Sequence, residues 1–335
     1  MMLLRRFFAC VGVALILAAA SSVGFAAEAA KPLRAGIIGL DTSHAPEFTK
    51  LVNKSEGDKE LAGLKIVAAY PGGSQDIPDS WNRVKEYTDQ LRGMGVEIVD
   101  SIDELLKRVD VVFVESVDGR PHLAQARAVI AAGKPLFIDK PMAGSLADAI
   151  EIFRFAKEKN VPCFSASSLR FSPGYQAARN GTSGFGEVRN CTATGPVHVE
   201  PHHPELFWYG IHGVESLFTI MGPGCQTVTR VAPDKAVGEW KDGRKGTFIA
   251  KDAYGATVEG SKKNGDAGTY GGYKPLILEI GKFFRTGKPP VDPAETLEIL
   301  AFMEAAEKSK LDGGKPVTME SIMKRAEERI KAGKH

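Results

Sequence analysis

Leu33-Arg-Ala-Gly36-Ile-Ile-Gly39-Leu-Asp41-Thr-Ser-His44-Ala-Pro46 is the stretch on which the fold turns. A short apolar run closes on a glycine, and Thr42, Ser43 and Pro46 then supply helix-start signals at once. An apolar strand that runs straight into a helix is the opening of a βαβ unit. The same alternation continues outward from it. Leu64 to Tyr70 reads as a second strand, stopped by Pro71-Gly72-Gly73, and a helix from about Ser80 to Met94 leads into Val96-Glu97-Ile98-Val99. Ser101 and Glu104 form a capping box for a short helix. Val109 to Val114, Leu136 to Ile138 and Cys163 to Ala166 read as further strands, separated by helices over His122 to Ala132 and from Ser145 to about Asn160. This predicts a doubly wound, Rossmann-type parallel sheet over 33–166. Gly39, Tyr70, Ser116 and Lys140 fall at its carboxyl rim, where such sheets bind ligands.

From about Arg170 the texture changes. Val188 to Thr194, Gln226 to Val231, Thr247 to Lys251 and Ala256 to Ser261 alternate in the manner of half-buried strands between Gly- and Pro-rich turns. Helices are expected over Gly210 to Met221, Leu276 to Thr286 and Glu295 to Lys310. The expectation for 167–325 is therefore a second α/β domain with a large, mostly antiparallel open sheet, one face covered by helices.

Composition bounds the rest. Lys plus Arg number 43 and Asp plus Glu 41, which excludes a generally basic nucleic-acid binder. Residues 1–26 read as a secretory signal: Arg5 and Arg6 precede an uncharged apolar stretch, and Gly24-Phe25-Ala26 offers a cleavage position. The Arg pair followed by Phe8 partly matches a twin-arginine signal, with Leu4 where Ser or Thr is usual. The expected location is the periplasm, and the processed chain has no further run long enough to span a bilayer. Cys163, Cys191 and Cys225 lack metal-type spacing and are expected to be small buried residues.

Motifs spread from about Arg34 to Val317 together resemble the Gfo/Idh/MocA family of glucose–fructose oxidoreductase and inositol dehydrogenase. They include Gly36-Ile-Ile-Gly39, His122-Leu-Ala-Gln-Ala-Arg-Ala before Gly133-Lys134-Pro135, Asp139-Lys140-Pro141, and Arg170-Phe171-Ser172-Pro173. Gly210-Ile211-His212-Gly213-Val214-Glu215 and Thr286-Gly287-Lys288-Pro289-Pro290-Val291 complete the series. The resemblance implies an enzyme transferring hydride between NAD or NADP and a sugar or cyclitol carbon. Lys140 would hold the substrate hydroxyl, and His212 would move the proton. Gly36, Gly39, Thr42 and Ser43 would serve the dinucleotide, with Ser74, Ser116, His122 and Asp139. Arg170, Tyr209, Glu215 and His202 are candidate substrate contacts. Glu215, three residues after His212, is also placed to orient its imidazole. A homo-oligomer is expected from the resemblance.

The dinucleotide fingerprint is altered. With Gly39 as its first glycine, Asp41 stands at the second and His44 at the third. A carboxylate at the second position repels pyrophosphate, unless Asp41 and Ser43 only cap the helix or the cofactor is shifted toward Thr42 and Ser43. No acid ends the second strand before Asp76, which favours NADP, with Ser74 near its 2′-phosphate, or no dinucleotide at all. Trp208 stands where the family often has an Asp four residues before the histidine. Four of the seven histidines fall between His198 and His212, so a metal held by His198, Glu200 and His202 is an alternative. Two further readings stay open: a lyase or epimerase, with or without metal, and a cofactor-free carbohydrate-binding protein.

Overall fold

The computed structural model describes residues 32–55 and 57–333. The segment read as an export signal lies outside them. Eleven elements alternate through the first half: β1 (Leu33–Ile38), α1 (His44–Asn53), β2 (Leu64–Tyr70), α2 (Pro78–Gly93), β3 (Glu97–Ile98), α3 (Ile102–Leu106), β4 (Val111–Val114), α4 (His122–Ala131), β5 (Leu136–Ile138), α5 (Leu146–Glu158) and β6 (Cys163–Ser165). The six strands form one parallel sheet in the order β3-β2-β1-β4-β5-β6. The chain reverses direction across the sheet between β1 and β4. That is the switch point, and it leaves a crevice at the carboxyl ends of these two strands. Two caps act as their sequences foretell: Ser101 accepts from the Glu104 amide and Ser145 from the Asp148 amide. At α1 neither expected cap forms. Ser43 makes no side-chain cap bond, and Asp41 is used elsewhere.

The second half contains α6 (Pro173–Arg179), β7 (Val188–Gly195), α7 (Ile211–Met221), β8 (Cys225–Ala232), β9 (Lys235–Trp240), β10 (Lys245–Ala250), β11 (Gly255–Gly260) and β12 (Asn264–Asp266). It ends with α8 (Lys274–Thr286), α9 (Pro293–Leu311), β13 (Val317–Thr318) and α10 (Met319–Lys331). Seven strands form a mixed sheet, β12-β11-β7-β10-β9-β8-β13. Its pairings are antiparallel except for the central β7–β10 pair. β9 escapes the sequence reading because Lys235-Ala-Val-Gly-Glu-Trp240 is broken by a glycine and flanked by charge. That glycine is required: a Cβ on Gly238 would lie 2.8 Å from Phe302 of α9.

Helices α7 and α9 cover one face of this sheet. Helix α8 instead joins α1 on the first sheet. Leu276, Ile277, Ile280 and Phe283 are buried there with Ala35, Ile37 and Phe48. Burial of such side chains stabilises by about 1.5–3 kcal/mol each. Cys163, Cys191 and Cys225 are all free and buried. Among the described residues no helix is long and apolar enough to cross a membrane.

Candidate active site

Lys140 is the second residue after β5 and so stands on the carboxyl rim of the first sheet. His212 is the second residue of α7, which a π-helical turn over Leu206–Gly210 introduces. Two elements far apart in sequence thus bring an ammonium and an imidazole to one cavity of about 160 Å³, which Thr42, Ser43, His44 and Tyr209 also line. Lys140 is 6% exposed, with Nζ 5.9 Å from the centre of the Tyr209 ring. Tyr254, Tyr270 and Tyr273 complete an aromatic wall. No spacing in the sequence announces these three. Tyr254 arrives from just before β11, and Tyr270 and Tyr273 from the loop between β12 and α8, by long-range packing. The only local hint is the Gly-Thr-Tyr-Gly-Gly-Tyr run ending at Tyr273.

The His212 ring is held from one side. Its Nδ1 lies 2.7 Å from Ser167 Oγ, which leaves Nε2 for the cavity. Burial, reinforced by the Lys140 charge, holds the imidazole well below the ordinary histidine range. It is therefore neutral near pH 7 and able to accept a proton.

Behind Ser167 stands a buried ionic frame. Glu215 accepts from the Ser167 amide at 2.7 Å and from Arg170 Nε at 2.7 Å. Arg170 also donates to Glu295 at 3.0 Å, and Arg179 donates to Glu295 at 2.7 Å. This corrects two expectations. Arg170 and Glu215 are not among the cavity-lining residues, and Glu215 acts on His212 only through Ser167. A spacing of three puts Glu215 on the same broad side of α7, but the longer reach of Arg170 captures its carboxylate.

The other predicted positions divide. Thr42 and Ser43 line the cavity. Gly36 instead sits beneath α3, where a Cβ would come within 2.8 Å of Leu105. Gly39 has a φ of +92° and passes so close to β4 that a Cβ would lie 2.5 Å from the Ser116 amide. Ser116 bonds Gln125, and Ser74 donates to Asp118. His122 is fully buried, with Nε2 2.8 Å from the Ser116 carbonyl and Nδ1 3.0 Å from that of Pro141, so it is a strut between loops. Asp139 lies below the cavity against His44, with 2.9 Å between Oδ2 and Nδ1.

The alternative metal trio does not assemble. Glu200 takes His202 Nδ1 at 2.8 Å and His203 Nδ1 at 2.7 Å. His198 packs edge-on to Tyr209 instead. His203 Nε2 is 3.0 Å from Asp118 Oδ1, and His202 Nε2 is 3.6 Å from Asp76. The 200–203 segment therefore clamps the loops after β2 and β4. Burial lowers the His203 pKa, but Asp118 and Glu200 outweigh it and the net shift is upward. With its folded pKa above the unfolded one, this imidazole stabilises fully below the unfolded value of about 6.5. That contribution is lost as pH rises through the raised folded value. His203→Gln is expected to flatten this part of the stability curve, as measured by urea melts from pH 6 to 9. An unchanged curve would remove His203 as its source.

Residues 33–167 match the model of the oxidoreductase family with an NAD-binding Rossmann fold, GFO_IDH_MocA. The match spans the first sheet alone, and it marks this segment as similar to the NAD-binding Rossmann domain of that oxidoreductase family. Similar solved structures extend the likeness across the second sheet. An oxidoreductase from Thermotoga maritima is 17% identical with a TM-score of 0.68, covering 87% of this chain and 100% of its own. An Agrobacterium radiobacter oxidoreductase, solved with NAD+, L-tartaric acid and magnesium, is 18% identical with a TM-score of 0.66, covering 87% and 99%. A scyllo-inositol dehydrogenase from Lactobacillus casei, solved with NAD(H) and scyllo-inositol, is 14% identical with a TM-score of 0.66, covering 87% and 100%. At these identities the likeness is one of fold. The uncharacterized protein YMR315W of Saccharomyces cerevisiae is 23% identical over 184 residues, 53% of this chain. The match spans about half that relative's length, 48%.

Against the cofactor of the Gfo/Idh/MocA fold, the site divides. Thr42 and Ser43, at the N-terminus of α1, offer hydroxyls and a positive helix end beside Lys140, and these fit the nicotinamide half of a dinucleotide. The pyrophosphate half meets the chain's own anion. Asp41 is fully buried, accepting from the Val117 amide at 3.0 Å and from Ser80 Oγ at 2.7 Å. Burial shifts its pKa upward, moderated by those two donors. Ile77, Val117 and Trp208 pack together over the switch point. Trp208 and Tyr209 also line a second recess of about 470 Å³ with His198 and Glu200, so they partition it from the inner cavity.

Proposed function

We propose that this protein is an exported oxidoreductase that moves hydride between a nicotinamide dinucleotide and a hydroxyl-bearing carbon of a small sugar or cyclitol. The observation that carries this reading is the convergence of Lys140 and His212 on one tyrosine-walled cavity beside the N-terminus of α1. In the oxidative direction Lys140 Nζ holds the substrate hydroxyl and stabilises the growing negative charge on its oxygen. His212 Nε2 takes the hydroxyl proton. The tyrosine rings stack on the C–H faces of the substrate and exclude water. When bound, the dinucleotide supplies the hydride acceptor. Thr42 and Ser43 are the residues that would hold it nearest the reacting carbon. The domain limits read from the sequence, 33–166 and 167–325, form part of this proposal, as do processing after residue 26, a periplasmic location and a homo-oligomer.

A second reading is favoured by one observation. Buried Asp41, with the Ile77–Val117–Trp208 cluster, stands across the ordinary pyrophosphate path. The inner cavity, at about 160 Å³, is much smaller than the outer recess of about 470 Å³. Acid–base chemistry without a dinucleotide, an elimination or an epimerisation at a carbon held by Lys140 and His212, needs only that cavity. Dinucleotide titration separates the two. Under the redox reading wild-type protein quenches or enhances NADPH or NADH fluorescence saturably. Trp208→Ala, which joins the inner cavity to the outer recess, tightens that binding at least fivefold. Silence in both proteins, with sugar conversion retained, would leave the second reading standing.

The histidine makes a pH prediction. A base held well below the ordinary range keeps kcat level from pH 8 down through pH 6.5, and an acid limb centred at 6.5 would exclude His212 as that base. The stability sign is opposite to that of His203. Because the folded protein keeps His212 neutral, the unfolded chain binds the extra proton. Stability therefore declines as pH falls below about 6.5, by up to ~1.4 kcal/mol per pH unit for one such group. His212→Asn is expected to remove this slope from urea-melt data.

A further inference from the structure

From His44 in the cavity wall downward lies a second group of ionisable side chains that the proposed chemistry does not use. Glu115 follows the last residue of β4, Asp139 follows β5, and His44 opens α1. The three meet where the third fingerprint glycine would ordinarily let the helix approach the sheet. His44 Nδ1 is 2.9 Å from Asp139 Oδ2 and 3.8 Å from Glu115 Oε2. One nitrogen and two carboxylate oxygens, one per residue, all lie within 4.8 Å of one another. Among the described residues this is the one such group of three or more.

Proximity alone would mean little, since buried acids are sometimes only protonated. The distinguishing observation is the state of the oxygens. Glu115 is fully buried, and neither Oε1 nor Oε2 has a hydrogen-bond partner. Asp139 is equally buried, and its Oδ1 is also unpartnered. Buried polar atoms are ordinarily satisfied, because leaving one bare costs about 1–3 kcal/mol, more for a charge. Here the two acids beside the imidazole carry three oxygens with unused lone pairs between them. The charges that act on Glu115 from neighbouring elements are Asp41, Asp139 and Lys140, so a single ammonium faces three carboxylates.

We propose that His44, Glu115 and Asp139 form a binding site for a divalent first-row transition cation, of which Zn2+ and Mn2+ are the natural probes. Ligand bonds near 2.0–2.2 Å at tetrahedral angles put donor atoms roughly 3.4 Å apart. The two His44–carboxylate separations, 2.9 and 3.8 Å, lie close to that, and the full spread, within 4.8 Å, closes by side-chain rotation of about an ångström. One imidazole with two carboxylates suits Zn2+, Mn2+ or Fe2+ better than Ca2+, which takes oxygen ligands in larger number. The ion neutralises the two carboxylates and ties the start of α1 to the carboxyl ends of β4 and β5. Three protein ligands leave a coordination position for water. The site stands whether or not a dinucleotide binds above it.

The test uses the full processed chain after chelator treatment and dialysis. Zn2+ alone, and separately Mn2+ alone, is titrated in by calorimetry, with thermal melts in parallel. One equivalent per chain is expected to bind and to raise Tm by several degrees. Glu115→Gln keeps the shape of the side chain but supplies a weaker ligand, and it weakens binding at least tenfold. His44→Ala does the same. Because the Glu115 carboxyl makes no hydrogen bond, the isosteric Glu115→Gln breaks none and keeps a stability close to wild type without metal, which separates ligand loss from misfolding. His202→Ala, in the other histidine cluster, leaves binding unchanged. Absence of a bound equivalent in wild type, undiminished binding in Glu115→Gln, or loss of binding in His202→Ala would each overturn the site.

Discussion

Lys140→Met is expected to lower turnover at least 10³-fold while the protein keeps its circular dichroism spectrum and melts within a few degrees of wild type. The ammonium shares its cavity with His212 and Tyr209 and stands on the carboxyl rim, whereas Arg83, which also lines that cavity, comes from within α2. Removing a preorganised charge from the oxygen that becomes negative in the transition state costs about 3–4 kcal/mol, or 10²–10³ in rate. Losing the anchor that positions the carbon adds to this. The methionine chain fills the aliphatic path of the lysine, so packing changes little. Lys140→Arg should not rescue. A planar guanidinium cannot occupy the place of a compact ammonium against the Tyr209 ring in so small a cavity. Rates are read with the substrate at saturation, so that loss of binding is not mistaken for loss of chemistry. Full activity in Lys140→Met would remove the mechanism.

Arg170→Met is the largest expected effect on stability, at about 3–5 kcal/mol. Its guanidinium lies between two carboxylates, and the side chains of Arg170, Glu215 and Glu295 are each only 4% exposed. Without the cation, Glu215 and Glu295 remain buried, and only Arg179 is left to Glu295. Tm should fall by roughly 10 °C for a chain of this size. Arg179→Met, whose side chain is 32% exposed, should cost much less. The loss at Arg170 also reaches the site. Glu215 no longer anchored by Arg170 ceases to fix Ser167, and Ser167 ceases to fix His212. At a temperature where both proteins are folded, kcat should drop at least tenfold with little change in KM. A variant as stable as wild type would show that the frame is not what holds this region.

The first sheet was legible because βαβ units carry their order in local signals. Apolar runs such as Val111–Val114 and glycine or serine punctuation fix strands and helix starts, and handedness leaves few ways to join them. The second sheet was half legible. β7, β8, β10 and β11 show alternation, whereas β9, β12 and β13 are short or interrupted and are defined by their neighbours. Lys140 and His212 were visible through motif context. Their tyrosine wall was not, since Tyr254, Tyr270 and Tyr273 meet only through tertiary packing. His44 was visible as a break in a glycine pattern and Asp139 as part of a motif. Glu115, by contrast, reads as an unremarked residue after an apolar strand. Only the absence of any partner for its carboxylate marks it out. Arg170 and Glu215 show the converse failure, because a charged residue near a catalytic motif reads as a ligand contact until its ion-pair partner is seen.

The most direct test of hydride transfer follows the hydride itself. Full-length processed protein is incubated with NAD or NADP and a panel of inositols and aldoses deuterated at their ring carbons, and the nicotinamide is analysed by mass spectrometry. The account predicts that wild type moves one deuterium to the nicotinamide ring with at least one member of the panel, and that Lys140→Met moves none. Conversion of a panel member with no label in the nicotinamide, and no dinucleotide bound to the protein, would contradict it.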